Sequence, residues 1–147
     1  MAPKSHLLYS IVWCSACASL LLPGCARNNA AEERTYPMGE KAQAGKLIYT
    51  VLEAEWKSQL GELPSVRVPK HRYLILRITV TNSGSDAGEM PLLSLVDGRG
   101  QTYQEEASGD GVPEWLGLLR KIQPAGTEEG RIVFDVPMSA YKLRITD

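Results

Sequence analysis

The stretch "YLILRITVTN", residues 73–82, constrains the fold more than any other part of the chain. Leu74, Leu76, Ile78 and Val80 fall on one side of an extended backbone, and Tyr73, Ile75, Arg77, Thr79 and Thr81 on the other. Such alternation is what a half-buried β-strand requires, because successive side chains leave a strand on opposite faces. The segment runs out in "NSGSDAG", residues 82–88, a cluster of turn formers. The pattern returns in "GRIVFDVP", where Ile132, Phe134 and Val136 are expected inside and Arg131 and Asp135 outside. Pro137 ends that strand, since it has no N–H to give to a ladder. In "YKLRI", Tyr141, Leu143 and Ile145 are predicted to face inward.

Other segments need more interpretation. In "KLIYTVLEAEW", residues 46–56, Leu47, Tyr49 and Val51 form one face, while Ile48, Leu52, Ala54 and Trp56 favour the other. One long strand accommodates both sets if it bends or bulges around Glu53. "PLLSLVDGRGQTY" reads as a hairpin with a tight turn at Asp97-Gly98-Arg99-Gly100. "PEWLGLLRKI" departs from the strand rule, because Trp115, Leu118, Leu119 and Ile122 recur at helical spacing behind Pro113. Gly117 weakens that pattern, so one short helix or turn is expected, plugging one end of the fold. The whole predicts an all-β chain: an immunoglobulin-like β-sandwich of six to eight antiparallel strands with one short helix. The absence of a paired Cys…Trp…Cys excludes an antibody-type domain.

All three cysteines, Cys14, Cys17 and Cys25, lie in the first 25 residues, so no disulfide staples the rest. A domain of roughly 100 residues or more can hold itself by apolar burial. Charge is balanced at 16 Lys and Arg against 17 Asp and Glu, with no basic cluster. That argues against a nucleic-acid partner, which needs grouped cations for the phosphates.

The amino terminus carries a single Lys4, then an uncharged run from Leu7 to Leu22 that stops at Pro23-Gly24. The run is shorter than the about 20 apolar residues needed to cross a bilayer and fits a cleavable signal. "LLPGC" resembles the lipobox of bacterial lipoprotein signals, with Leu22, Gly24 and Cys25 in register and Pro23 where a small or aliphatic residue is usual. The resemblance implies cleavage between Gly24 and Cys25 and diacylation of the Cys25 thiol. Ordinary signal cleavage after Ala18 and an uncleaved anchor are the competing readings. "CSAC", residues 14–17, has the spacing of a redox pair but lacks the folded frame that lowers a thiol pKa. Expected organisation is therefore a signal peptide over 1–24, a lipidated cysteine and flexible linker over 25–36, and the sandwich over 37–147. The 11 residues Ala26 to Tyr36 would span roughly 18 Å as a coil.

Catalytic constellations are thin. His71 is the one histidine after the leader, and it reads as a solvated strand-edge residue. Zinc needs three or four ligands from Cys, His or carboxylate. Glu105, Glu106, Asp110, Glu114, Glu128 and Glu129 are plentiful, and the loop "QEEASGDGVPE" could wrap calcium. It lacks alternating Asp spacing and reads first as a solvated acidic loop. No catalytic residue, metal or cofactor is expected. Trp56 and Trp115 fit an apolar pattern and read as core ahead of a binding surface. The loop Gln104 to Pro113, long and Gly-rich, is the first choice of contact surface.

Four stretches, "MGEKAQAGKLIYTVLEAE", "RYLILRITVTNSGSDAGEM", "LVDGRGQTY" and "IQPAGTEEGRIVFDVPMSAYKLRI", resemble in order the bacterial family of unknown function DUF 4352. The family usually has Pro-Gly where this chain has Pro124-Ala125-Gly126. The resemblance implies a secreted protein or lipoprotein with an immunoglobulin-like sandwich, akin to a small secreted mycobacterial antigen, and carries over no ligand or catalytic residue. The expected function is a non-catalytic binding or scaffolding module, held on a membrane by a lipid anchor at the bacterial cell envelope. Its partner would be an envelope protein or an extracellular ligand. A hydrolase or metal-dependent enzyme using the acidic loop 104–114, or a stabiliser of an envelope complex, is the alternative.

Overall fold

The structure, a computed structural model, describes residues 33–118 and 120–146. The expectations for the signal and for Cys25 lie outside the described residues. Among the described residues nine strands follow one another: β1 (Ala42–Ala44), β2 (Leu47–Lys57), β3 (Arg72–Asn82), β4 (Gly88–Met90), β5 (Ser94–Asp97), β6 (Thr102–Gln104), β7 (Arg120–Ile122), β8 (Thr127–Val136) and β9 (Tyr141–Arg144). The excess over six to eight comes from three-residue pieces such as β1, β4 and β7, too short for any period to register in sequence.

The ladders are antiparallel. One sheet has the order β1-β2-β3-β8, a second β6-β5-β9, and β4 pairs with β7. Because β8 lies beside β3, and β9 beside β5, the chain passes repeatedly between sheets before each one is complete. The principal core joins Leu74, Leu76, Ile78 and Val80 of β3 to Ile132, Phe134 and Val136 of β8 and Leu47 and Tyr49 of β2. Met90, Leu93, Leu95 and Ile122 close it from the other side, with Tyr103, Tyr141, Leu143 and Ile145 partly buried at its margin. These are the inward faces that alternation predicts. Members of this core and its margin lie between Ala44 and Ile145, and Arg34–Asp147 forms a compact unit.

The bulge expected near Glu53 falls between Val51 and Glu53. Before it, Tyr49 and Val51 pair with Val80 and Ile78; after it, Ala54 and Trp56 pair with Leu76 and Leu74. The extra residue reverses the phase of the pleat and keeps Trp56 over the core. The hairpin β5–β6 also forms where expected, its turn held by Asp97 Oδ1, which accepts the Arg99 and Gln101 amides at 2.8 and 2.9 Å. Those bonds, that from Gln101 foremost, keep the Asp97 carboxyl below its ordinary pKa.

The helix expected in 113–122 is absent, and no helix occurs among the described residues. Glu114 and Gly117 take φ of 53° and 74°, outside the right-handed helical region, so the turn cannot propagate. The apolar residues consequently part company. Trp115 goes to a second cluster, Leu116 rests on the main core, Leu118 is exposed, and Ile122 enters the main core from β7. Leu119 lies outside the described residues. Tyr73 and Ile75, expected on the outer face of β3, are also buried. With Leu60, Val112 and Val133 they form a second core on the reverse side of the sheet, with Trp115 packed against it.

Candidate functional site

Two long connections build that second core, residues 58–71 between β2 and β3 and residues 105–119 between β6 and β7. Each contributes apolar side chains, Leu60 from the first and Val112 and Trp115 from the second. The two backbones touch where a Cβ on Gly111 would collide with the main chain of Gly61. Arg67 clamps them. Its Nη1 donates to the carbonyls of Ser108 and Asp110, both at 3.0 Å, and its Nη2 lies 3.5 Å from Glu106 Oε2. The guanidinium also sits over the Tyr73 ring, 5.6 Å from its centroid.

The second loop covers the free edge of β8. The Glu106 amide donates to the Val133 carbonyl at 2.8 Å, Arg131 N donates to Glu114 O at 2.8 Å, and Leu116 N donates to Arg131 O at 3.0 Å. Strand edges left open invite pairing with other chains, and here the loop occupies part of one. Behind it lies a buried ion pair. Arg120 and Glu105 are bonded with side chains only 2% and 0% exposed, Arg120 Nε reaches Gly117 O, and Leu93 N donates to Glu105 Oε1 at 2.7 Å. Burial pushes the Tyr49 phenol up to about 12, with the Arg120 charge opposing the shift.

The acidic loop is solvated only in part: Asp110 and Glu114 are exposed, Glu106 is half-buried and Glu105 is buried. Glu105 is inside, Glu106 faces Arg67, Asp110 accepts the Ser108 hydroxyl at 2.7 Å, and Glu114 pairs with Arg131 at 2.5 Å. The carboxylates point to separate partners instead of converging, and no group of three or more potential metal ligands occurs among the described residues. His71 is exposed, with its amide and that of Lys70 donating to the Asp135 carboxylate at 2.8 and 2.6 Å. Trp56 lies at the core margin, 6.4 Å from the Tyr141 ring, and Trp115 lies beneath Gly109. A cleft of about 140 Å³ opens between Met90, Leu116, Arg120, Lys121, Ile122 and Glu128. Sequence reasoning missed Arg67, the residue that joins the loops. The signal available was the length of the connection 58–71, since long connections in compact domains tend to carry function.

A model of the family described as "Domain of unknown function (DUF4352)" matches residues 36–147. No curated protein matches the chain. Among solved structures, the yjhA protein of Bacillus subtilis superposes with a TM-score of 0.57 at 20% identity, covering 74% of this chain and 78% of its own. A conserved hypothetical protein from Bacillus anthracis superposes at 0.60 and 16% identity, covering 75% and 89%. At these identities the likeness is one of fold.

Proposed function

Because the chain belongs to the DUF4352 family, described as a domain of unknown function, we propose that it is a non-catalytic binding or scaffolding module tethered outside the cytoplasm. The tether is a lipid on Cys25, which holds the domain at the cell envelope through the linker 25–36. The partner is an envelope protein or an extracellular ligand, recognised by the joined loops.

The observation that carries the reading is the clamp of Arg67 across both loops, together with the buried Glu105–Arg120 pair behind them. Recognition benefits from surfaces already ordered before contact, because ordering side chains and loops on binding costs affinity. Chemistry at a carboxylate needs a free, convergent group, whereas the acids of this loop are each engaged by a different partner.

Affinity capture from the native envelope tests the reading, with Cys25→Ala and Arg67→Ala as comparisons. Wild type should enrich a partner that Arg67→Ala loses while still fractionating with membranes. Fatty-acid analogue should label wild type and leave Cys25→Ala unlabelled. Equal labelling of both removes the tether; a partner list indifferent to Arg67 removes the loops as its binding surface.

A further inference from the structure

We propose that the uncovered part of the β8 edge, with the cleft beside it, takes an extended peptide as an added strand. β8 is the outermost strand of its sheet. The second loop pairs with that edge in parallel only at Trp115 and Arg131, because Glu114 and Gly117, with φ of 53° and 74°, turn the chain away on either side. The Arg131 N–H and C=O, both bonded to the loop, mark which residues of β8 face outward. Main-chain groups alternate along an antiparallel strand, so those of Thr127 and Glu129 face the same way, past the last of the loop's bonds. Such groups are a template for a further strand.

A bare edge binds without choosing, and the cleft supplies the choice. Met90, Leu116 and Ile122 give it apolar walls. At about 140 Å³ it has room for one aliphatic side chain, since a cavity of about 150 Å³ holds a six-carbon ring. Glu128 lines it and lies between Thr127 and Glu129, so a strand on this edge passes over its mouth. Arg120, its side chain 2% exposed, stands in the wall. Its Nε and Nη2 reach oxygens of Gly117 and Glu105, while Nη1 meets the Met90 sulfur at 3.9 Å. A thioether is a weak acceptor, so a peptide carbonyl entering the cleft finds a donor. Charge does not select the occupant. Arg120, Arg131 and Arg77 are each paired with a carboxylate, and Lys121 stands opposite Glu89 and beside Glu128 at the rim, so a neutral peptide fits. This surface goes beyond the joined loops, which contribute Leu116 alone to the cleft.

The unit 34–147, which holds both apolar clusters entire, serves for the test. The probe is a blocked fluorescent heptapeptide, Thr-Val-Thr-Leu-Thr-Val-Thr, whose binding is read by anisotropy and should change little with salt. Alanine in place of its central leucine should weaken binding about tenfold. Of two forms N-methylated at alternate residues, one should lose binding about tenfold and the other keep it, because only one edge of the peptide faces β8. Glu129→Pro removes the outward N–H without touching a bond to β3 and should weaken binding about tenfold, whereas Glu129→Ala should not. Glu128→Trp, at an exposed rim position, should fill the cleft and abolish binding. Thermal melts matching wild type establish that each variant is folded. No binding at millimolar peptide, equal loss from both N-methylated forms, or indifference to Glu129→Pro or to Glu128→Trp would overturn the proposal. A concentration-dependent dimer that Glu129→Pro dissolves would assign the edge to a second copy of this chain instead. These measurements use no membrane and no envelope partner, so their outcome is separate from that of affinity capture.

Discussion

Between the sheets, Leu74, Leu76, Ile78 and Val80 meet Phe134 and its neighbours at positions set by strict alternation. On the reverse side of the same strands, Tyr73, Ile75 and Val133 meet Leu60, Val112 and Trp115, which arrive from loops. The first core follows from the period of a strand. The second follows from two connections that happen to fold back, held by Arg67 and by the close approach of Gly61 to Gly111. Any strand pair can supply the inner face, but only a particular loop conformation supplies the outer one. The two faces therefore differ in origin: strand alternation builds the inner one, and loop conformation builds the outer one.

The sharpest way to break that division is Phe134→Ala. The side chain is fully buried, and its loss should cost about 3–5 kcal/mol. Denaturant unfolding should show both faces failing together, since the outer cluster rests on the strands that Phe134 holds. A loss confined to one face would show that the cores are independent.

Next comes the seam. Arg120→Met leaves Glu105 buried without its cation and should cost about 3 kcal/mol. Adding Glu105→Gln, which keeps an acceptor for the Leu93 amide, should recover most of it. A double-mutant cycle in urea measures the coupling, and additive losses would contradict a direct pair.

The inner core also has a titration of its own. Tyr49 has its folded pKa raised from 10.0 to about 12, so its neutral form stabilises the fold below the unfolded pKa. That contribution is lost as pH rises from about 10 through about 12, and the two units amount to about 2–3 kcal/mol. Tyr49→Phe should flatten this part of the stability–pH curve measured by urea unfolding. An unchanged alkaline slope would place the titrating group elsewhere.

Gly109→Ala should have the smallest effect, about 1–3 kcal/mol, and confine it to the outer face. The added Cβ would overlap the Trp115 ring, so the loop must lift. Hydrogen exchange should quicken in residues 105–116 while the amides of β3 and of the β2–β3 ladder stay protected. Loss of protection throughout would mean that the loop is part of the main cooperative unit.

Legibility in the sequence follows the same division. The inner residues of β3, β8 and β9, the stop at Pro137 and the bulge near Glu53 could be read because each is local: a period, a missing N–H, a phase conflict within one strand. The segment 113–122 misled because helical spacing of Trp115, Leu118 and Ile122 is equally produced by three residues bound for different places. Glu105 could not be distinguished from Glu106, since its burial depends on Arg120 and on the Leu93 amide. The loop 58–71 offered only its length. At Pro124-Ala125-Gly126, Ala125 takes φ of 56°, a left-handed conformation that the letters of that turn do not announce on a residue with a Cβ.

By itself, the sequence determined the sheet character of the domain and which face of each long strand turns inward. Strand geometry maps residue parity onto face, so that information sits in consecutive letters. Only the tertiary structure decided that the acidic loop lies down on β8, that Arg67 binds it to a second loop, and that Leu63 is left standing in water. Those outcomes depend on contacts between residues distant in sequence, from Leu116 with Arg131 to Arg67 with Asp110, where no local period exists to record them.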